Sequence, residues 1–322
     1  MISVLQSVPV TLGGRAPLLT KTFTAAGVQS YDNAFRYDVH AVEDVASIHD
    51  LSELLTALED VPTACVVRGR LKNPANTKGV RRLSSPSRYD TTFEEQHQPW
   101  MLCDFDGVPA PSADMTNQER LDFLVSLLPA YFHGASYHYR WSASAGTKGW
   151  DYLSCHLWFW LTDPWDSVTI RERIIGENWE IDDAPFEAVQ VHYTAKPIFD
   201  GVPDPMPTGR SGLVIGDRDA VDMPPYFAPV IPCSVWKHEN TVVGVEEGFV
   251  ARLNEIGPRY HGPIRRAIGY YCRRVKDVDT FELRSRLQDA IQAAVPGKTS
   301  KRAYLNNHYL DRLIKGAIHK FN

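Results

Sequence analysis

Apolar residues recur at two different periods along this 322-residue chain, and the change of period marks its elements. Alternation of apolar and polar residues, or a short apolar run, is typical of a strand, whereas spacings of three and four residues are typical of a helix. The first kind of pattern predicts strands over 64–67, 100–105, 136–144, 154–161 and 188–193. The second kind predicts helices over 48–58, 117–131 and 167–175. From residue 100 onward the predicted order is therefore β-α-β-β-α-β, the split unit of a ferredoxin-like or RRM-like sheet.

The pattern also predicts what precedes and follows this core. The first helix and the first strand predict an N-terminal α/β subdomain, and the polar segment 72–88 is typical of a loop. The Pro-rich stretch 224–232 predicts a linker, and apolar residues at helical spacing after it predict a small C-terminal helical bundle. We therefore expect an α+β protein with a catalytic domain over 1–235 and a basic helical accessory domain over 245–322.

The composition of the chain argues against several classes of protein. Hydrophobic residues make up 43% of the chain and charged residues 23%, as is usual for globular proteins. No apolar run approaches the roughly 18 residues of a membrane-spanning helix, so we expect a cytoplasmic protein with no membrane partner. The five cysteines are far apart and form no Cys-x-x-Cys pair, which argues against a disulfide scaffold and against a structural zinc site.

Charge is distributed unevenly between the two predicted domains. From Val245 to Asn322 there are 15 lysines and arginines against 8 aspartates and glutamates, whereas the rest of the chain has 19 against 31. An acidic body with a basic tail favours a polyanionic partner for the tail and a cation site in the body. A solvated helical surface that is merely basic is the alternative.

Two polar pairs interrupt otherwise apolar strands of the predicted core. Residues two positions apart share a face of a strand, so Asp104 and Asp106 lie on one face, and so do Ser154 and His156. In the predicted topology their strands are neighbours, which places both pairs on one open face of the sheet. Partly buried carboxylates need a compensating charge, and a divalent cation can supply it. A strand-ending turn and a core histidine are the structural alternatives.

Three short motifs thus lie in order along the predicted core. An Asp-x-Asp pair at Asp104 and Asp106 ends a hydrophobic strand, Ser154-x-His156 leads another, and Asp182 follows a hydrophobic residue. Over about residues 99–210 this set resembles the archaeo-eukaryotic primase superfamily, especially the primase-polymerases of phages and mobile genetic elements. The helical tail is similar to the accessory domain that follows such catalytic cores.

The resemblance implies a nucleotidyltransferase that works by two-metal chemistry. Asp104, Asp106 and Asp182 would hold two Mg²⁺ or Mn²⁺ ions, with Asp183 as a competitor for the third position. The implied activity is DNA primase and DNA polymerase, with single-stranded DNA as template and nucleoside triphosphates as substrates. A replicative helicase is a further candidate partner, and the host-cell cytoplasm is the expected location of a phage-encoded protein.

The resemblance also implies residues that would bind the incoming nucleotide. His156 would hold the triphosphate with support from Ser154, and the basic candidates are Lys148, Lys196 and Arg210. A solvated turn is the alternative for Lys148. Ion pairs or a surface position are the alternatives for Arg210 and for Arg140.

Three other classes of function share single features with this sequence. Haloacid-dehalogenase-like phosphatases also begin with Asp-x-Asp, and the acidic segment 216–222 imitates their distal motif, but that fold needs parallel β-α units. A P-loop is suggested at 296–299, although its first glycine is replaced by Gln292. A catalytically inactive module that binds a replication origin is the third alternative.

Overall fold

The structure is a computed structural model that describes residues 1–9, 11, 13–84, 90–226, 242–257, 260–295 and 301–321. The fold is mixed α+β, with several sheets and with helices along the chain. It divides into two units, Met1–Ala228 and Pro229–Asn322. The predicted linker over 224–232 falls largely outside the described residues, and the P-loop suggested at 296–299 falls wholly outside them. Within the described part of the chain, no helix is both long enough and apolar enough to cross a membrane.

Among the described residues, the strands all belong to the first unit, and they vary widely in length. In chain order they are β1 (Ile2–Ser7), β2 (Thr22–Thr24), β3 (Gly27–Gln29), β4 (Tyr37–Val42), β5 (Ala64–Val67), β6 (Arg70–Leu71), β7 (Phe93–Glu94), β8 (Gln98–Pro109), β9 (Tyr137–Trp141), β10 (Tyr152–Trp165), β11 (His192–Tyr193), β12 (Ile198–Asp200) and β13 (Ser211–Val214). One sheet has the order β11-β5-β1-β4, and another has the order β13-β9-β10-β8. The second of these carries the predicted motifs.

Helices of the first unit begin at side chains that cap them. They are α1 (Ile48–Leu58), α2 (Asn117–Ser126) and α3 (Ser167–Gly176). The Ser47 side chain accepts the Asp50 amide at α1, and Thr116 and Glu119 form a reciprocal capping box at α2. The helix predicted over 117–131 is shorter than expected, because the chain turns before Pro129 and continues as a 3-10 helix over Ala130–Phe132.

The motif-bearing sheet is antiparallel, and the two strands that carry the first and second motifs, β8 and β10, are paired as predicted. Asp104 of β8 lies opposite His156 of β10. Met101, Cys103 and Phe105 share a core with α2 and α3, as alternation predicts. The opposite face of the sheet packs Trp100, Leu102 and Trp158 against residues of β1 and α1.

The predicted fourth strand of this sheet is wrong. Only His192–Tyr193 of the segment 188–193 is a strand, and it pairs with β5 in the other sheet. The buried His192 ring packs edge-on against Trp100 and Trp158, at centroid distances of 5.8 Å and 5.7 Å, which holds the segment there. The sheet has a fourth strand, β13, but it pairs with β9 at the edge away from β8. Because no described strand lies beyond β8, this first strand forms an edge of the sheet instead of lying at its centre.

A buried arginine joins the two sheets and was not predicted. Arg68 directly follows β5 and is fully buried. Its guanidinium donates to Ser167 Oγ at 2.9 Å and to the carbonyl oxygens of Trp100 and Trp165 at 2.5 Å and 2.9 Å. Because these acceptors replace water, the charge is tolerated in the core.

The second unit consists of helices around one apolar core. In chain order they are α4 (Val242–Asn254), α5 (His261–Arg274), α6 (Thr280–Ala293), α7 (Lys301–Tyr304) and α8 (Asn307–Phe321). The predicted apolar positions Phe249, Ile264, Leu287 and Leu310 are fully buried. Pro263 lies inside the first turn of α5, where proline is tolerated because its missing N–H has no helical partner there.

Buried His138 predicts a pH-dependent loss of stability. Its Nδ1 is 2.9 Å from Ser52 Oγ, and burial lowers its pKa from 6.5 to about 3, with the charge of Arg140 acting in the same direction. Between these values the unfolded chain binds a proton that the folded chain does not. Stability should therefore fall as pH falls from about 6.5 toward 3, by up to about 1.4 kcal/mol per pH unit from this residue.

Urea denaturation between pH 4 and 7 measures this slope, with His138→Gln as the variant and His40→Gln, at an exposed position of β4, as its control. The His138 variant should show a shallower pH dependence, and the control should keep that of the native protein. Equal slopes in all three proteins would contradict the assignment.

Candidate functional site

A β-bulge in β8 shapes the first motif. Phe105 pairs with Cys155 and Val108 with Leu153, so Asp106 and Gly107 together face the single residue between them on β10. Gly107 adopts φ +70°, a left-handed conformation that glycine permits without steric cost. The strand therefore continues to Pro109 instead of ending in a turn at Asp106.

Ser154 is the residue opposite the bulge, and its hydroxyl holds it. The Gly107 N–H donates to Ser154 Oγ at 2.9 Å, and the Ser154 hydroxyl donates to Asp106 Oδ1 at 2.9 Å. The serine of the second motif thereby fixes the second carboxylate of the first. This contact positions Asp106, which is otherwise exposed.

Asp104 and His156 form the second contact between the motifs. His156 Nε2 is 3.3 Å from Asp104 Oδ1. Burial would raise the pKa of Asp104, but the charge of His156 and their hydrogen bond outweigh it, so the pKa is lowered and the carboxylate is favoured. On the other side of the ring, His156 Nδ1 is buried and has no hydrogen-bond partner among the described residues.

Asp182 is anchored to the same strand through its backbone. Its N–H donates to the carbonyl oxygen of Asp104 at 2.9 Å, which the edge position of β8 leaves accessible. Its Oδ1 accepts the N–H of Ala184 at 3.0 Å. The pKa of Asp182 is raised by burial first and then by the negative charges of Asp104, Asp183 and Asp106. The loop thus adds a third carboxylate that the others make costly to ionise.

Asp183 has a different environment from its neighbour. Its Oδ2 accepts from Arg171 Nε at 2.8 Å, and Arg171 also binds Glu187 at 3.1 Å. The charge of Asp183 is therefore already compensated. Of the two adjacent aspartates, Asp182 is the one whose carboxylate an added cation would stabilise.

The carboxylates of Asp104, Asp106 and Asp182 have the chemistry of a Mg²⁺ or Mn²⁺ site, since both ions prefer carboxylate oxygens. Within the described residues, however, no three His, Cys, Asp or Glu side chains are arranged closely enough to hold a metal ion. The contacts above give the reason, because Asp104 points to His156 and Asp106 points to Ser154. Asp104, Asp182 and His156 line a common cavity of about 230 Å³, which Asp106 does not reach.

The three basic candidates lie apart from this cavity. Lys148 is exposed on the turn that joins β9 to β10. Lys196 forms an ion pair with Asp60, and Arg210 donates to Asp204 at 2.5 Å. None of the three is among the described residues that line the cavity.

Other residues reach the cavity that sequence reasoning missed or set aside. Arg140 of β9 lines it, and so do Lys21 and Tyr31 from the N-terminal segment. The Tyr31 ring stacks on Tyr193 with centroids 4.2 Å apart and planes 3° apart. The pairing expected in a β9–β10 hairpin could have placed Arg140 beside His156. The N-terminal residues come from an irregular segment, whose pattern does not predict where they lie.

Comparison with family models, with curated proteins and with solved structures finds no match to this chain.

Proposed function

We propose that this protein is a DNA primase-polymerase, a template-dependent nucleotidyltransferase that makes and extends primers on single-stranded DNA of a phage or mobile element. The observation that carries the proposal is the contact between two motifs on neighbouring strands. Asp104 contacts His156, and Asp106 contacts Ser154. The backbone of Asp182 adds a third carboxylate beside them.

The proposed chemistry assigns a separate task to each side chain. Asp104, Asp106 and Asp182 would hold two Mg²⁺ or Mn²⁺ ions after their carboxylates turn from their present partners. When bound, such ions neutralise charge on the attacking and leaving oxygens of phosphoryl transfer. Ser154 keeps Asp106 in place through the bulge. His156, with a buried and unpartnered Nδ1, would orient the triphosphate of the nucleotide.

The proposed function also implies a particular architecture for the first unit. The series β8-α2-β9-β10-α3 would be a ferredoxin-like core that, among the described residues, lacks the fourth strand beside β8 and carries β13 beside β9 instead. The helices of the second unit would form an accessory bundle for nucleic acid. A protein with such a core and tail would be expected in the host-cell cytoplasm, alongside a replicative helicase.

The phosphatase alternative has less support. Haloacid-dehalogenase-like folds need a parallel sheet, whereas the described pairings of β8, β9, β10 and β13 are antiparallel. Asp219, from the segment that imitates their distal acidic motif, accepts from Ser136 at 3.0 Å and lies 3.3 Å from His49. It is not among the residues that line the cavity with Asp104.

Incorporation of labelled nucleotides on a single-stranded template tests the proposal. Reactions contain the full chain, Mg²⁺ or Mn²⁺, and either ribo- or deoxynucleoside triphosphates, with and without an annealed primer. New strands that depend on template and metal are the expected result. Template binding without incorporation under any condition would instead support the inactive origin-binding module, and release of phosphate from monoesters would support the phosphatase.

Neighbouring aspartates provide an internal control for the third metal ligand. Asp182→Asn should reduce synthesis by roughly 100-fold or more, because it removes a negative charge that would hold the metal ion, and the ion neutralises the charge that develops in the reaction. Asp183→Asn should change synthesis by no more than a few fold, since Arg171 keeps Glu187 as a partner. Initial rates of incorporation measure both effects, and the reverse order would show that Asp183 is the ligand.

A stability measurement supports the same distinction without relying on activity. The raised pKa of Asp182 means that its ionised form is disfavoured in the folded protein, so at neutral pH in EDTA a neutral side chain should raise Tm. Added Mn²⁺ should raise the Tm of the native protein but not that of Asp182→Asn. A Mn²⁺ response that survives this substitution would contradict the assignment.

A further inference from the structure

Four polar residues form one row across the motif-bearing sheet. Asp104 of β8 pairs with His156 of β10, His156 pairs with Arg140 of β9, and Arg140 pairs with Ser211 of β13. Directly opposed residues of antiparallel strands place their side chains on the same face, with adjacent strands about 4.8 Å apart. A carboxylate, an imidazole and a guanidinium thus follow one another in that order.

The cavity beside this row receives all three charged or titratable groups. Asp104, His156 and Arg140 line it together with Asp182 and Lys21. At about 230 Å³ it is smaller than the roughly 300 Å³ or more of pockets that enclose whole small ligands. A site of this size with carboxylates beside cations suits the phosphate end of a nucleotide, with its base outside.

Arg140 is a buried cation with a loosely bound partner. Its side chain is 8% exposed, and its Nη1 is 3.4 Å from Glu59 Oε1. Charge-assisted hydrogen bonds are shorter, at about 2.7–2.9 Å. The same Glu59 oxygen accepts a hydrogen bond from Ser211 Oγ, so its charge is shared. A guanidinium has five N–H donors, and this ion pair leaves donors available to an anion in the cavity.

The guanidinium remains charged where it lies. Burial lowers the pKa of Arg140 to about 10, with Glu59 acting in the opposite direction, and this value is still well above neutral pH. Among the described residues that line the cavity, the lysines and arginines are Lys21 and Arg140, so these two side chains supply its permanent positive charge. Arg210, by contrast, is bound to Asp204 and to the Ser142 carbonyl oxygen.

We propose that Arg140 binds the phosphate chain of the incoming nucleoside triphosphate, next to His156, and that Glu59 holds the guanidinium when no nucleotide is bound. This inference rests on the proposed function, of which it names the phosphate-binding cation. The position on β9 also explains how the site can operate with Lys196 and Arg210 engaged elsewhere.

Calorimetric binding of inorganic tripolyphosphate and of a deoxynucleoside triphosphate to the full chain, without template, tests the inference. Arg140→Gln should weaken both by roughly tenfold or more, because it removes a charge-assisted hydrogen bond. Binding of the triphosphate in the Arg210→Gln control, which also loses a buried guanidinium, should stay within about threefold of the native protein. Arg140→Lys should bind with intermediate affinity, because a point charge replaces the planar donor.

A second variant separates binding from a structural role of the ion pair. Glu59→Gln removes the competing carboxylate but keeps Arg140, so it should bind tripolyphosphate more tightly than the native protein. If the pair served only to stabilise the fold, both substitutions would change binding in the same direction. Circular dichroism identifies any variant that fails to fold, and the Glu59 variant still tests the inference in that case.

The outcomes distinguish this inference from the proposed function. Unchanged affinity in Arg140→Gln, a parallel loss in Glu59→Gln, or no tripolyphosphate binding by the native protein would each overturn it. If the native protein synthesises strands but Arg140→Gln binds normally, the inference fails alone. If tripolyphosphate binding depends on Arg140 but no strand is made, the proposed function fails and the phosphate site stands.

Discussion

Replacing Asp104 with asparagine is expected to abolish strand synthesis, with a loss of roughly 1,000-fold or more. The carboxylate lies in the cavity, contacts His156 and is kept ionised by it. Asparagine has the same shape and can still accept a hydrogen bond from the imidazole, so it removes the charge without removing the contact. Single-turnover incorporation on a primed template measures the loss. Asp106→Asn should have a comparable effect, because it also removes a charge proposed to hold a metal ion, while Ser154 can still donate to the amide oxygen.

Asp163→Asn is the matched control, since it removes an exposed carboxylate from β10, the strand that carries His156. All three variants should have circular dichroism spectra of the folded protein. The Asp104 variant should also lose the rise in Tm that we expect Mn²⁺ to cause in the native protein. Full activity of either Asp104→Asn or Asp106→Asn would exclude these residues as the metal ligands of the reaction.

Reversing the exposed positive charges of α5 is expected to weaken template binding and primer initiation strongly. Arg265, Arg266, Arg273 and Lys276 are exposed along or just after this helix. If they contact template phosphates, changing all four to glutamate should reduce the salt dependence of single-stranded DNA binding by about 3 in the slope of log K against log salt. Primer initiation should fall far more than extension, because initiation must hold a template and two nucleotides without a duplex.

Deletion from Val245 onward should reproduce the loss of initiation, since it removes the same surface together with its helices. The control reverses four exposed basic residues of the first unit, namely Arg15, Arg36, Lys72 and Lys78. This control should keep nearly the full salt slope and normal initiation. If the α5 variant slows initiation and extension equally and keeps its salt slope, the basic surface of the tail has no part in holding the template.

Local patterns predicted the elements that depend on local forces. The helix over 48–58 has its predicted bounds because its apolar spacing and the Ser47 cap agree. Alternation placed Asp104 and His156 on one face, and the pairing of their strands followed from the order of elements. Where the pattern, the cap and the chain order all indicated the same structure, the prediction was confirmed.

The sequence pattern could not predict the positions of elements that depend on long-range packing. The segment ending in His192–Tyr193 has the composition of a strand for either sheet, and the packing of His192 against two tryptophans places it beside β5. The buried Arg68 depends on acceptors from distant strands. Neither interaction has a periodicity that a single sequence displays.

Arg140 is an intermediate case. The turn between β9 and β10 is centred near Lys148, and residues at equal distances on the two sides of such a turn pair in a hairpin. That symmetry places Arg140 opposite His156, as the structure has it. What the sequence does not contain is the position of Glu59, which determines how much of the guanidinium is free for a ligand.

A backbone hydrogen bond from Asp182 to Asp104 sets the position of the third carboxylate. This position therefore does not depend on the chemical identity of the side chain at residue 182. Main-chain atoms hold the loop against the edge of β8, so any side chain at position 182 is delivered to the same spot. Substitutions there can therefore be used as chemical replacements at a fixed site. Glutamate, asparagine and cysteine at this position would change the reach, charge and softness of the donor, and the metal preference of the proposed site would become an adjustable property.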